Sequence, residues 1–201
     1  MNFKEIFMAI TNQAYMKAST APQADECLTP LTVVTPIIPF IQAKQFKTIW
    51  CPFDKEDSYY VRAFKYYGFN VIHSHIEDGQ DFFNYEPTDS YDCIVSNPPF
   101  SKKINIVTRL YKLDKPFAVL LPQNALQHKK LTQLYMKNGL EYLGFNTRAS
   151  FFTRGNLDSL KHHNFFASGY FCHNVLPEKL MFSNLEIKSE SYYDEILDKD
   201  E

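Results

Sequence analysis

Short apolar runs alternate with helical patterns through most of the chain, and this alternation limits the folds that the chain can adopt. The apolar runs lie at 47–51, 70–74, 92–96, 116–122, 140–145 and 165–172, and the helical patterns at 58–67, 104–113 and 129–138. Strands that alternate with helices are typical of a parallel sheet covered on both faces. The sequence therefore predicts an α/β fold with a mostly parallel sheet and helices on both faces. Its 201 residues are enough for one such domain.

The two ends of the chain differ from this central region. Residues 1–24 combine a short helical pattern with a polar stretch, and residues 186–201 are acidic without a sustained apolar face. We therefore expect an N-terminal helical segment at 1–24, a main domain at 25–185 and an acidic C-terminal tail at 186–201.

A broken helix is predicted near the start of the main domain. Thr29 is suited to cap this helix, and Pro30 is suited to its first turn. Pro36 and Pro39 should interrupt it, because proline lacks the N–H that continues a helix.

Charge and cysteine content narrow the classes of protein that are possible. A net charge of −2 argues against a strongly basic nucleic-acid-binding protein, although a local basic patch stays possible. The four cysteines, at 27, 51, 93 and 172, form no CxxC pair, and neither a signal peptide nor a long apolar run is evident. We therefore expect reduced thiols in a cytoplasmic protein, with no zinc site and no membrane span.

A polar motif, Asn97-Pro98-Pro99-Phe100, follows the apolar run at 92–96. The Asn97 side-chain carbonyl and a neighbouring backbone carbonyl can accept the two hydrogens of an exocyclic amine. Pro98 and Pro99 stiffen the turn and remove two N–H donors. Phe100 offers a flat face on which a base can stack. The alternative is that these four residues only end a strand with a proline turn.

The motif resembles the (Asn/Asp/Ser)-Pro-Pro-(Tyr/Phe/Trp) signature of amino-group methyltransferases. The order of elements over about 25–122 is similar to that of class I S-adenosylmethionine-dependent methyltransferases of the phage-type DNA adenine-N6 group. The resemblance implies a Rossmann-like fold, S-adenosylmethionine as cofactor and methyl transfer to the amino group of adenine in DNA. RNA or a protein amide stays open as the substrate. A base in a duplex would have to be flipped out before it could react.

The same resemblance implies a set of cofactor contacts. In the family a Thr-Pro segment contacts the methionine end of the cofactor. The first strand ends in Asp-Pro-Phe and a glycine-rich turn that approaches the cofactor closely. An acid after the second strand binds the ribose hydroxyls, and an Asp-Phe segment contacts the adenine. The matching positions here are Thr29 and Pro30, then Pro52 with Asp54 or Asp57 in the acidic role, then His75 with Glu77 as a near substitute, then Asp81 and Phe82.

The chain departs from the family at the first of these loops. Cys51 replaces the usual acid, and Lys55 and Asp57 occupy the expected glycine positions, where a side chain hinders close approach of the backbone to a cofactor. Each match also has a structural alternative. Asp57-Ser58 would serve as a helix N-cap, His75 as a capping residue, and Asp81 as a turn cap with Phe82 in the core.

Basic residues near the motif are candidates for contacts with a phosphate backbone. They are Lys102, Lys103, Lys129 and Lys130, with a further basic aromatic loop possible around Arg148, Phe151, Phe152 and Arg154 and an exposed turn at 161–163. Two rival functions stay open, the first because of the altered first loop and the second because the Asn-Pro-Pro-Phe turn could be purely structural. The chain could be a catalytically degenerate methyltransferase fold, a binding module of a mobile element with a protein or nucleic-acid partner. It could also be an unrelated α/β enzyme.

Overall fold

The computed structural model describes residues 27–149, 151–153 and 167–185, and for β-strand residues 27–28 and 152–153 it describes the backbone alone. The predicted N-terminal helical segment, the acidic tail, Arg154 and the turn at 161–163 lie outside these residues, so the proposed division into three parts stays a prediction.

Nine strands and five α-helices occur in the described residues. The strands are β1 (Cys27–Leu28), β2 (Thr48–Cys51), β3 (Asn70–His73), β4 (Cys93–Ser96), β5 (Phe117–Pro122), β6 (Glu141–Phe145), β7 (Phe152–Thr153), β8 (Ser168–His173) and β9 (Leu180–Ser183). The helices are α1 (Leu31–Val34), α2 (Ile38–Ala43), α3 (Tyr59–Tyr66), α4 (Lys103–Leu113) and α5 (Lys129–Asn138). Short 3₁₀ helices lie at Thr35–Ile37, Ile76–Asp78, Phe100–Lys102 and Gln123–Gln127. None of the described helices is long and apolar enough to cross a bilayer.

Seven of these strands form one sheet in the order β3-β2-β4-β5-β8-β6-β9. Strand β8 runs antiparallel to both of its neighbours, and the other four pairings are parallel. Strands β1 and β7 form a separate antiparallel pair. The predicted α/β class with a mostly parallel sheet is confirmed.

Helices cover both faces of this sheet, as expected. Side chains alternate along each strand, so that Ile49 and Cys51 face one apolar cluster and Trp50 faces the other. Helices α1, α2 and α3 contribute to the first cluster, and α4 and α5 contribute to the second. The three cysteines whose side chains are described are buried free thiols.

The chain reverses its direction across the sheet between β3 and β4. From β2 it moves outward to β3, and it then returns to place β4 on the opposite side of β2. In open α/β sheets, ligands bind outside the carboxyl ends of the strands at such a reversal. The loops that follow β2 and β4 flank this crevice, and they carry Asp54 and Asn97.

The predicted helix after Thr29 is broken by its prolines but is not capped by Thr29. Segments α1 and α2 are separated by the 3₁₀ turn that contains Pro36, which agrees with the expected interruption. The residue directly before α1 is Pro30, and no side chain caps the helix. The capping role predicted for Thr29 is therefore wrong, because its hydroxyl is hydrogen-bonded to a residue 68 positions away.

A buried glutamate anchors the connection between β8 and β9. The Glu141 carboxylate accepts backbone N–H groups from Asn174 at 3.1 Å, Val175 at 2.9 Å and Leu176 at 2.8 Å. Glu141 lies on β6, the strand that separates β8 from β9 in the sheet. One side chain thus satisfies three donors of a turn whose first residue, Asn174, has a left-handed φ of 56°.

Candidate active site

Asn97 lies at the carboxyl edge of the sheet, directly after β4. Its Nδ2 donates to Thr29 Oγ1 at 2.9 Å. Its Oδ1 is buried and accepts no hydrogen bond from any described residue. Leaving a buried acceptor unpaired costs about 1–3 kcal/mol, so such an atom is a strong candidate for binding a donor from a ligand. Pro98 and Pro99 follow, and neither has an N–H that could compete for this oxygen.

Asp54 ties the loop after β2 to the end of β4. Its carboxylate is buried and accepts a hydrogen bond from Ser96 Oγ, the side chain directly before Asn97. Burial raises the pKa of Asp54 to about 6, and hydrogen bonds from the Ser96 and Ser58 hydroxyls partly oppose this shift. Asp54 is thus a buried acid three residues after Cys51, the position at which the resemblance implied an acid, and its role toward a cofactor stays a prediction.

The raised pKa of Asp54 predicts that stability depends on pH in a defined window. The folded protein binds the Asp54 proton more tightly than the unfolded chain, whose value is near the ordinary 3.8. Stability from this group is therefore complete below about pH 4 and is lost as the pH rises through about 6. The difference corresponds to about 3 kcal/mol at most. Urea unfolding at pH 4, 5, 6 and 7 should show this loss in the wild type.

The matched variants for this test are Asp54→Asn, which removes the titration, and Asp57→Asn, which changes an exposed aspartate of the same loop. Subtracting the Asp54→Asn curve from the wild-type curve should leave the expected decline, and the Asp57→Asn curve should follow the wild type. Parallel wild-type and Asp54→Asn curves would contradict the prediction.

Charged side chains fill the loop where the family has glycines. The Lys55 ammonium pairs with the Glu77 carboxylate, which joins the loop after β2 to the 3₁₀ turn after β3. Next to this pair, Glu56 contacts Lys65 and accepts from His73 Nε2 at 2.7 Å. Lys55 thus engages Glu77, the residue that the sequence suggested as a substitute for the ribose-binding acid.

The capping interpretations hold for two residues near this loop. Ser58 Oγ accepts the Val61 N–H at 3.2 Å and caps α3. His75 Nδ1 accepts the Glu77 N–H at 3.2 Å and caps the 3₁₀ turn at Ile76–Asp78. A role for His75 toward a ribose stays a prediction.

Asp81 and Phe82 adopt the turn-and-core arrangement that the sequence offered as an alternative. Asp81 accepts from the Phe83 N–H at 3.1 Å and from Asn84 Nδ2 at 3.4 Å. The Phe82 ring is buried, with its centroid 4.8 Å from that of Phe53. These contacts fix the segment beside the crevice, and direct contact with an adenine stays a prediction.

Arg109 is a residue that the sequence analysis missed. It extends from α4 and donates to the backbone carbonyls of Phe83 at 2.9 Å and Tyr85 at 3.0 Å. Its guanidinium also lies 5.2 Å from the centroid of the Phe82 ring. Arg109 therefore holds the whole turn that begins at Asp81. The one sequence signal for Arg109 was its position next to Leu110, an apolar residue of a predicted helix that the structure buries.

The predicted nucleic-acid-binding lysines lie at the same edge of the sheet as Asn97. Lys102 is exposed after β4, and Lys129 and Lys130 are exposed at the start of α5, after β5. Lys103 is half-buried, and its Nζ donates to the Phe100 carbonyl at 3.2 Å. The structure thus brings the four lysines to one edge of the sheet, and Lys103 is hydrogen-bonded there to the turn at Phe100–Lys102.

The two predicted aromatic contacts with nucleic acid, at Phe100 and around Phe151, have different outcomes. Phe100 is half-buried and packs against the apolar cluster on the α4 face, so base stacking by this ring stays a prediction. Phe151 is buried in the opposite cluster, to which α1 also contributes, and is not part of an exposed basic aromatic loop. Arg148 is exposed. Phe151 directly precedes β7, which pairs with β1.

A sequence model of the family described as "Adenine-specific methyltransferase EcoRI" matches residues 70–199, which is more than half of the chain. The chain belongs to this family. The matched range contains the Asn97 motif, Asp81 and Arg109. It begins after Thr29 and the loop at 52–58, so membership in the adenine-specific methyltransferase family does not depend on the loop that lacks glycine.

Among solved structures, the chain is similar to the methyltransferase subunit of a type I restriction-modification system from Streptococcus thermophilus. The TM-score is 0.51 at 13% identity, over 86% of this chain and 52% of that one. At this identity the likeness concerns the fold alone, and the chain spans about half the length of that solved structure. A search of curated proteins gave no match.

Proposed function

We propose that this member of the adenine-specific methyltransferase family transfers a methyl group from S-adenosylmethionine to the exocyclic amino group of adenine in DNA. The observation that carries the proposal is the buried Asn97 Oδ1, which accepts no hydrogen bond from any described residue. It lies at the carboxyl edge of the sheet, next to the boundary between strands β2 and β4, on either side of which the chain builds the sheet in opposite directions. An acceptor at this position suits an incoming amine.

Asn97 and Pro98 would activate the amine by accepting its two hydrogens. The lone pair of an adenine amino group is delocalised into the ring, so the nitrogen is a poor nucleophile. Hydrogen bonds to Asn97 Oδ1 and to the Pro98 carbonyl favour a pyramidal nitrogen, whose lone pair is available. They strengthen as positive charge develops on the nitrogen, and this preference for the transition state accelerates transfer. S-adenosylmethionine, when bound, supplies the electrophilic methyl group.

The residues of the crevice suit this cofactor. The Asp54 carboxylate lies buried at the switch point, where it can accept from the ammonium group of a methionine. Asp81 begins the turn whose Phe83 and Tyr85 carbonyls accept from Arg109, and in the proposal its carboxylate accepts from the adenine amine of the cofactor. We extend the proposed cofactor site to four further residues of the resemblance, namely Pro30, Pro52, His75 and Phe82.

DNA as the substrate is supported by the lysines at the reacting edge. Lys102, Lys129 and Lys130 are exposed there, and they would contact phosphates around a flipped adenine that stacks on Phe100. RNA is the alternative nucleic acid. A phage-type origin, a cytoplasmic location and a protein partner stay predictions from the sequence.

A catalytically degenerate binding module is the second candidate. It is favoured by one observation, the Lys55–Glu77 ion pair across the loops that would hold the cofactor. A methyl donor would have to bind beside this pair, or separate it, for the enzyme to work.

Calorimetric titration with S-adenosylmethionine and S-adenosylhomocysteine distinguishes the two candidates. We expect micromolar binding of both, followed by transfer of labelled methyl groups to adenine-containing DNA and not to a matched duplex in which purine, which lacks the amino group, replaces adenine. Parallel reactions with RNA of the same sequence test the substrate class. A folded protein that binds neither compound at millimolar concentration would overturn the proposal and favour the binding module.

A further inference from the structure

We propose that Thr29 is a positioning residue for methyl transfer, which acts by holding the Asn97 amide and not by contacting the cofactor. The inference rests on the proposed function and departs from the role that the family resemblance implies for Thr29. The two side chains come from distant parts of the sequence, and Asn97 Nδ2 donates to Thr29 Oγ1 at 2.9 Å.

Thr29 is well suited to anchor another side chain, because the backbone is fixed on both sides of it. Directly before it, Cys27 and Leu28 pair with β7. Directly after it, Pro30 has an extended backbone, and its carbonyl accepts the Val33 N–H at 2.9 Å. Thr29 is also 7% exposed, so water competes little for its hydroxyl.

Anchoring one end of an amide determines where its other end lies. The amide group of Asn97 is planar, so a hydrogen bond at Nδ2 restricts rotation of the whole group and holds Oδ1 in place. That oxygen is the buried acceptor on which the proposed amine activation depends. Without the Thr29 hydroxyl, the amide would turn, and the oxygen would spend less time in the position that activates the amine.

The substitution Thr29→Val removes the hydroxyl at nearly constant volume, and Thr29→Ser retains it. We expect Thr29→Val to lower kcat about tenfold, the effect of losing one hydrogen bond, with the Kd for S-adenosylmethionine unchanged. Thr29→Ser should keep most of the wild-type kcat. If Thr29→Val instead weakens cofactor binding and leaves kcat unchanged at saturation, Thr29 is a cofactor contact and the inference is overturned.

A second readout needs neither cofactor nor DNA. The side-chain NH₂ signals of Asn97 can be assigned in a ¹⁵N–¹H NMR spectrum by comparison with Asn97→Ala. We expect these signals to shift and to exchange faster with water in Thr29→Val, and to stay near their wild-type positions in Thr29→Ser. Unchanged signals in Thr29→Val overturn the inference. A wild type that transfers no methyl group while the signals respond as expected overturns the proposed function instead.

Discussion

Replacing Asn97 with alanine is expected to lower the rate of methyl transfer by about 100- to 1,000-fold, the range found when one preorganised hydrogen-bonding group is removed from a transition state. The variant loses Oδ1, the buried acceptor that accepts no hydrogen bond from the described residues. The Pro98 carbonyl would be the one remaining acceptor for the amine. Because a hydrogen bond of this kind acts mainly in the transition state, kcat should fall much more than cofactor affinity.

The measurement is single-turnover methyl transfer at saturating cofactor and DNA, together with calorimetric binding of S-adenosylhomocysteine. A matched control is Asn70→Ala, an exposed asparagine at the start of β3, at the opposite edge of the sheet from Asn97. This control should transfer methyl groups at the wild-type rate. A folded Asn97→Ala variant that transfers methyl groups at the wild-type rate would contradict the proposed mechanism.

The largest expected effect on stability comes from Glu141→Ala. The substitution leaves the backbone N–H groups of Asn174, Val175 and Leu176 without their acceptor, and Val175 and Leu176 are buried. Each unsatisfied buried donor costs about 1–3 kcal/mol, and rearrangement of the turn would recover part of this cost. We expect a loss of about 3 kcal/mol in the free energy of unfolding, or roughly 6–12 °C in Tm.

Urea unfolding at constant pH measures this loss, provided that the slope with denaturant is unchanged. Glu178→Ala is the control, because Glu178 is an exposed glutamate of the same β8–β9 connection. It should change stability by less than about 0.5 kcal/mol. Glu141→Gln should fall between the two, since its amide keeps one acceptor oxygen. A Glu141→Ala variant as stable as Glu178→Ala would show that the turn needs no anchor.

Local sequence patterns were sufficient to predict those strands and helices whose own residues show a clear apolar run or helical periodicity. The apolar run at 92–96 and the helical pattern at 129–138 correspond to β4 and α5. The helix near the prolines is irregular as expected: Pro36 lies in the 3₁₀ turn that separates α1 from α2, and Pro39 lies in the first turn of α2, where its missing N–H is tolerated. Strand β9, in contrast, was not predicted, because its apolar run of three residues, 180–182, is short and belongs to a partly exposed edge strand.

The sequence could identify the part of the candidate site whose residues are contiguous, and it missed the contacts that join distant segments. Asn97 and its prolines could be identified directly because the motif is contiguous. Arg109 could not be assigned a role, since its acceptors are backbone carbonyls 24 and 26 positions earlier in the chain. A backbone carbonyl has no sequence signature.

The sequence by itself determined that strands and helices alternate, that both faces of the sheet are covered and that an Asn-Pro-Pro-Phe motif directly follows β4, because these depend on periodicity and on neighbouring residues. Only the tertiary structure decided that β8 is inserted between β5 and β6, that Thr29 bonds to Asn97 and that Lys55 pairs with Glu77. Each of these depends on which residues from distant parts of the chain become neighbours in the folded protein. That choice is made by satisfying hydrogen bonds and charges across the whole fold.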